Sequence, residues 1–268
     1  MHSSTSSRAF LSYLLLLSLL SSPVAAVEWS IGAGATVSPA YPGAEQWRVL
    51  PAPTFSLSYE GLSVQTRGPG LVFDLVPSQR FSAGPLIRYS GGRDDDFLRG
   101  DLDALARIPA SAEAGLSLSS GVPLFLISDR LVGIATLGLD WVASLPGGYD
   151  GYTLTLSGGY ILPMTDSWTL IGSLGVTYQD ADYADQWFSV SDVEASSGPL
   201  EAFSAREGWN DRQISLVASY RFDEAWSMAL VGVNSRYQAD AARSPVTRLS
   251  DSLDRYLIAF GLSYRSNW

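Results

Sequence analysis

The 268-residue sequence contains no cysteine and no lysine, and its one histidine is His2. Without cysteine there is no disulfide and no thiol for lipid attachment, so backbone pairing and packing must hold the chain together. Without an imidazole beyond position 2, the Ser-His and Cys-His forms of nucleophilic catalysis and histidine metal sites are excluded. The missing lysine reads as composition bias and carries no mechanism. Basic charge is scarce, with 17 arginines against 27 acidic residues and a net charge of −10. That is the opposite of the basic footprint a nucleic-acid partner requires. Long apolar runs are also missing. The one extended run, AFLSYLLLLSLL, has twelve residues, whereas a membrane-spanning helix needs roughly 20.

That run is flanked by MHSSTSSR, with Arg8, and by SSPVAA, with small residues at Val24 and Ala26. The order of a basic segment, a short apolar core and a small-residue site is that of a secretory signal peptide, cleaved after Ala26. The alternative is an uncleaved anchor. The expected organisation is therefore residues 1–26 as signal peptide and 27–268 as one domain. The mature part, Val27–Trp268, then holds 16 arginines against the 27 acids, a net charge of −11.

What fills the mature part is alternation with a period of two, the signature of strands. In YTLTLSGGYI, Tyr152, Leu154, Leu156, Gly158 and Tyr160 share one face, and Thr153, Thr155, Ser157 and Gly159 share the other. WTLIGSLGVTY repeats the pattern from Trp168 to Tyr178, and ISLVASYR sets Ile214, Leu216, Ala218 and Tyr220 against Ser215, Val217, Ser219 and Arg221. In YLIAFGLSYRSNW the large face runs Tyr256, Ile258, Phe260, Leu262, Tyr264. A soluble β-sandwich alternates as well, so the spacing of the rings decides between the two. Tyr152 and Tyr160, and Tyr256 and Tyr264, are eight residues apart, and Trp168 and Tyr178 are ten apart. At about 3.3 Å per residue and a tilt of roughly 40°, each pair spans ~20–25 Å, the height of the apolar band between the aromatic girdles of a membrane barrel. Tyr152, Tyr160, Trp168, Tyr178, Tyr220, Tyr256 and Tyr264 are the candidate girdle residues.

The expected fold is all-β, a transmembrane antiparallel β-barrel of about twelve strands. The candidate strands are 28–38, 48–59, 62–67, 71–76, 80–89, 111–127, 131–144, 152–161, 168–178, 212–221, 226–234 and 255–268. Every second connection is short, as periplasmic turns are. The others, 39–47, 90–110, 145–151, 179–211 and 235–254, include the long ones. Pro123 inside 111–127 calls for a bulge, because proline has no donor for the ladder. In lipid a closed barrel leaves no edge, so the last strand is expected to pair with the first near Trp29–Val37.

Two loops concentrate chemistry. GGRDDDFLRGDLDALARIP carries Asp94, Asp95, Asp96, Asp101 and Asp103 with Arg93, Arg99 and Arg107. Its spacing is not that of an EF-hand, so it reads as a solvated loop that meets lipopolysaccharide through bridging cations rather than as a dedicated metal site. The 33-residue segment 179–211 carries Tyr183, Trp187, Phe188, Phe203 and Trp209, too aromatic for simple disorder. It is a candidate interaction loop or lumen plug, or alternatively a packed cap. Gly32 and Gly34 lack the third glycine and the βαβ context of a nucleotide fingerprint. No pair of carboxylates stands in an apolar pocket signal, so no catalytic residue, cofactor or metal is expected.

Four stretches in order resemble the MipA/OmpV family of outer-membrane proteins. They are WSIGAGATVSPAYPGAEQWRVLPAPTFSLSY, SAGPLIRYSGGRDDD, QWFSVSDVEASSGPLEAF and AARSPVT. Departures are Ser189 in place of glycine, Pro199 directly after Gly198, and Trp268 in place of the family's terminal phenylalanine. The resemblance implies an outer-membrane barrel with no catalytic residues, assembled by the barrel-assembly machinery, which would read Trp268 as part of its terminal signal. It further implies a scaffold that holds a lytic transglycosylase and a murein synthase in peptidoglycan growth. The alternative role is a small passive channel, receptor or adhesin.

Overall fold

The computed structural model describes residues 27–39, 47–78, 80–93, 102–126, 130–249 and 253–267. The expected signal peptide, Asp94, Asp95, Asp96, Asp101 and the terminal Trp268 lie outside the described residues.

Thirteen strand segments form one antiparallel sheet. They are β1 (Glu28–Pro39), β2 (Trp47–Pro51), β3 (Thr54–Tyr59), β4 (Leu62–Arg67), β5 (Gly70–Asp74), β6 (Phe81–Ser90), β7 (Ser111–Leu126), β8 (Arg130–Ser144), β9 (Tyr152–Pro163), β10 (Trp168–Gln179), β11 (Gly208–Arg221), β12 (Trp226–Tyr237) and β13 (Asp254–Asn267). β2 and β3 are two halves of a single strand. Both pair with β1 in one register, Ala35 facing Pro51 and Gly32 facing Thr54. Pro51 and Pro53 interrupt the ladder, and Ala52 N–H still donates to Gly34 O at 2.9 Å. The barrel therefore has twelve strands, with 48–59 interrupted rather than continuous.

β13 closes the barrel on β1 from Glu28 facing Asn267 to Val37 facing Ile258, as the lipid environment demands. The expected bulge near Pro123 occurs as a register shift between Leu124 and Phe125. β11 starts at Gly208, four residues earlier than its periodicity suggests, because a second shift at Thr177/Tyr178 lets the β10–β11 ladder continue.

Register assigns every strand residue to a face. Exposed Ile31, Phe55, Leu57, Ile87, Leu116, Leu156, Leu174, Ile214, Leu216, Leu230, Ile258 and Phe260 all share the outward parity. The inward parity carries Ser30, Ser56, Ser117, Thr155, Thr177, Ser173, Ser215, Ser227 and Ser263, several of them bonded in cross-strand hydroxyl pairs such as Ser30–Ser56 at 2.7 Å and Ser173–Ser215 at 2.6 Å. This inside-out distribution, with aliphatics outside and hydroxyls inside, is stable only when hydrocarbon surrounds the sheet.

Among the described residues, four short helices stand at the end of the barrel opposite the chain termini: α1 (Ala181–Phe188), α2 (Asp192–Ser197), α3 (Ala239–Arg243) and α4 (Pro245–Arg248). At the other end the turns are tight, as at Glu60–Gly61, where Gly61 has φ +83°.

Candidate functional site

The segment between β10 and β11 folds into a cap. Asp180 caps α1 by accepting from Tyr183 N–H at 3.0 Å, and also accepts from Tyr152 N–H at 3.0 Å, so the helix starts where the strand ends. Ser191 and Glu194 form a reciprocal capping box on α2, the pattern that satisfies two orphan donors at once. Glu194 also accepts from Ala106 N–H at 2.8 Å, which ties α2 to the β6–β7 loop.

Two apolar clusters hold the cap. The first is Ala184, Phe188, Ala205 and Ala241, flanked by Tyr183, Trp187, Phe203 and Tyr237. The second is Leu105, Val190 and Leu200, flanked by Leu102, Ala195 and Val246. Leu102 and Leu105 belong to the β6–β7 loop and Val246 to the β12–β13 segment. Six strands, β7 to β12, separate those loops around the wall, so their contact spans the outer mouth.

Arg93 is the polar centre of this cap. It is 5% exposed and donates to Ala106 O (3.1 Å), Trp187 O (3.2 Å) and Gln186 O (3.2 Å). Burial pulls its pKa below the ordinary guanidinium value, and the nearby Glu194 carboxylate opposes that shift. Arginine stays charged under such a shift, so the three carbonyls at the end of α1 and in the β6–β7 loop converge on a buried cation.

Below the cap the lumen holds three ionic clusters. Arg88 pairs with Glu113, which is 3% exposed and accepts from Tyr149 O–H at 2.7 Å. The Tyr149 ring meets Tyr183 edge-on at 5.1 Å and Trp187 at 6.0 Å, and Tyr183 stacks on Trp187 at 5.8 Å. Arg255 pairs with Asp211 and lies 4.0 Å over the Tyr237 ring. Arg67, at the end of β4, donates to Asp140 on β8 at 2.8 Å and to Ser117 on β7 at 2.9 Å. Gln179 Oε1, Trp187 Nε1, Asn210 Oδ1 and Arg255 Nε are buried without a protein partner, so they are left for water or ligand hydroxyls to satisfy. At the end near the termini, a cavity of about 190 Å³ is lined by Glu28, Ser56, Ser58, Ser63, Gln65 and Arg265.

Burial and the bond to Glu113 hold the Tyr149 phenol well above its ordinary value of 10, and burial does the same for Tyr183. A folded-state pKa raised in this way stabilises the cap at every pH below the unfolded value, and the contribution disappears as pH rises through the folded value. Phenolate absorbance should therefore show at least two tyrosines still protonated at about pH 11, where ordinary tyrosines have ionised. If all tyrosines titrate together, this packing is wrong.

Of the candidate interaction-loop residues, Phe188 is buried, and Tyr183, Trp187 and Phe203 are half-buried against the cap core. Trp209 is not in the loop. It stands on β11 with its ring 5.8 Å from Tyr178, because the β10–β11 ladder runs further than expected. The seven candidate girdle residues take the outward parity. Trp168 meets Tyr220 at 4.8 Å, and Tyr264 sits between Trp226 at 5.2 Å and Trp29 at 5.9 Å, forming a ring near the tight turns. Tyr152 with Trp141, Tyr178 with Trp209, and Tyr256 stand toward the cap. Periodicity alone does not single out Arg67, Arg88, Glu113, Asp140, Asp211 and Arg255. The signal was there: a charge on the small-residue parity within a strand has only the lumen to occupy.

A closed twelve-stranded barrel with an apolar exterior, a hydroxyl-lined interior and one capped end defines an outer-membrane β-barrel protein. The sequence matches the family described as MltA-interacting protein MipA over residues 31–266, and the chain belongs to that family. No curated protein matches the sequence. Solved structures with similarity to it include an outer-membrane channel from Pseudomonas putida F1, at 11% identity over 92% of this chain and 96% of that one, with a TM-score of 0.46. The outer-membrane channel DcaP of Acinetobacter baumannii gives 9% identity over 91% and 99%, with a TM-score of 0.36. The translocator domain of the autotransporter NalP from Neisseria meningitidis gives 13% over 97% and 96%, with a TM-score of 0.32.

Proposed function

We propose that this chain is a non-catalytic interaction barrel of the outer membrane, exported through residues 1–26, whose periplasmic rim docks a peptidoglycan-remodelling enzyme. The observation that carries this reading is the cap. Two apolar clusters and a buried arginine close the outer mouth, an arrangement suited to a stable platform rather than to free axial diffusion. The family's description names MipA as a protein that interacts with MltA, and a murein-processing partner of that kind is the natural occupant of the periplasmic side. Murein synthase is the second expected partner, with barrel-assembly machinery, outer-membrane lipids and lipopolysaccharide as the others.

The rim available for docking is short and charged. Its charge is mixed: Glu28, Glu60, Asp166, Asp223 and Glu224 stand around the turns together with Arg80, Arg221 and Arg265. Capture of a partner through these charges should weaken with salt. Photo-crosslinkers placed at Glu60, Asp166 or Glu224 in intact cells should capture a murein enzyme, whereas the same group at exposed Val193 on the cap should not. Recovery of no murein enzyme from any rim position would refute the proposal. A second reading, a receptor or channel, is favoured by the ionic clusters of the lumen. Deleting 183–205 and measuring planar-bilayer conductance separates the two, since a platform stays silent and a plugged channel opens.

A further inference from the structure

The barrel wall is not of even height. β4 has six residues and β5 five, whereas β6 through β13 have 10 to 16. β4 begins beside the Glu60–Gly61 turn, with exposed Tyr59 and Leu62 at the girdle level. From there six residues, at about 3.3 Å each and a tilt of roughly 40°, climb only ~15 Å of an apolar band about 25 Å tall. The β4–β5 hairpin therefore turns over, at Gly68–Pro69, inside the outer leaflet.

The strands on either side continue past it. β2 extends the second strand upward but pairs only with β1; β6 pairs with β5 from Gly70–Arg88 to Val72–Leu86, with Tyr89 N–H donating to Pro69 O at the hairpin tip (3.1 Å) and Leu75 N–H to Ala83 O below (2.9 Å). Among the described residues nothing pairs with the free side of β2. The sequence is adapted to that. Ala52 N–H points at β1 and Phe55 N–H donates to Thr66 Oγ1 on β4, so the odd-numbered residues face the gap. Two of these are Pro51 and Pro53, which have no N–H to leave unsatisfied in lipid and none to offer an incoming strand. The same prolines that break the strand thus remove two of the donors that the gap would otherwise leave unpaired.

The rims are apolar on both faces. Val49 points outward and is 67% exposed; Leu50, on the otherwise hydroxyl-rich inner parity, is 43% exposed. On the β6 side Tyr89, level with the hairpin tip, is exposed. The lumen wall beside the gap carries an apolar cluster, Val72, Leu86 and Val142. At the sill, Arg67 reaches along the inside of the wall to Ser117 and Asp140.

We propose that this low sector is a lateral portal through which the hydrocarbon chain of an outer-leaflet lipid reaches the capped lumen. The cap closes the axial route and the notch opens a sideways one, at the depth where such chains reside. A partner strand is disfavoured because the prolines remove two of the donors that strand addition would use. The portal is independent of whichever enzyme the periplasmic rim holds.

The test reconstitutes the full chain in vesicles containing a phospholipid with a diazirine near the end of one acyl chain. After photolysis, adducts are mapped by mass spectrometry. Adducts on the inward-facing Leu50, Arg67 or Ser117, beyond those on outward Leu57, Leu156 and Leu216, are the expected result. Adducts confined to outward-facing residues would overturn the proposal, whether the gap is covered by the chain itself or never entered. Lengthening the hairpin by two residues on each side of Gly68–Pro69 should abolish the inward adducts and leave the outward ones. Leu50→Trp, which narrows the portal without altering the backbone, should reduce them in the same direction; inward adducts unchanged in both variants would also overturn it.

Discussion

Replacing Gly34 by valine is expected to abolish the closed barrel. Gly34 lies opposite Gly261 on the β1–β13 seam, facing the lumen. A Cβ there would sit 2.2 Å from Phe260 O and 2.8 Å from Gly261 Cα, both backbone atoms that cannot swing away. The seam would have to part by more than an ångström, and parting it exposes two edges to lipid, where each unsatisfied backbone group costs several kcal/mol. Gly172 and Gly232 are the controls. Each faces outward on a strand, with nothing within 4 Å of an added Cβ, so alanine there should be tolerated. Electrophoretic mobility before and after heating reports closure. The Gly34→Val protein should lack the compact, heat-modifiable form, while Gly172→Ala and Gly232→Ala retain it. A compact Gly34→Val barrel would show that the seam is looser than described.

The second large effect belongs to Arg93. Arg93→Met keeps the length of the side chain and removes the charge, leaving the part-buried Ala106 O, Gln186 O and Trp187 O without that donor. Each such loss costs about 1–3 kcal/mol, and a cap built from short helices and two small clusters has little stability of its own to absorb it. The expected outcome is an opened cap on an intact barrel. Limited proteolysis should cut within 180–207 in the variant and not in the parent, with the heat-modifiable form unchanged. Equal protection of the two proteins would mean that the apolar clusters alone hold the cap.

These two variants separate what the chain encodes locally from what it encodes at long range. Twelve strands were legible because each carries its own evidence, an aliphatic parity outside and a hydroxyl parity inside, with rings at the ends. The bulge near Pro123 was legible because proline cannot donate. The break at Pro51 and Pro53 rests on the same chemistry, yet the alternation resumes beyond it in the same register, so periodicity alone runs through it. Trp209 escapes the periodicity because it precedes a register shift within its own strand, and a shift leaves no trace in a period-two pattern.

Taken alone, the sequence determined the class of the protein and the direction of its faces. A period of two with rings about one bilayer apart marks strands that face lipid, where a closed barrel is the arrangement that pairs every strand. The tertiary structure decided the rest. It turned a 33-residue aromatic segment into a cap through contacts such as Arg93 with Gln186, 93 residues apart in sequence. It gathered Arg67 with Asp140, and Arg88 with Glu113 and Tyr149, into the lumen. It also set the uneven wall height, which depends on how far neighbouring strands run past one another. The physical reason is common to all three: alternation is a property of adjacent residues, whereas caps, lumen pairs and wall height depend on which strands the closed register makes neighbours.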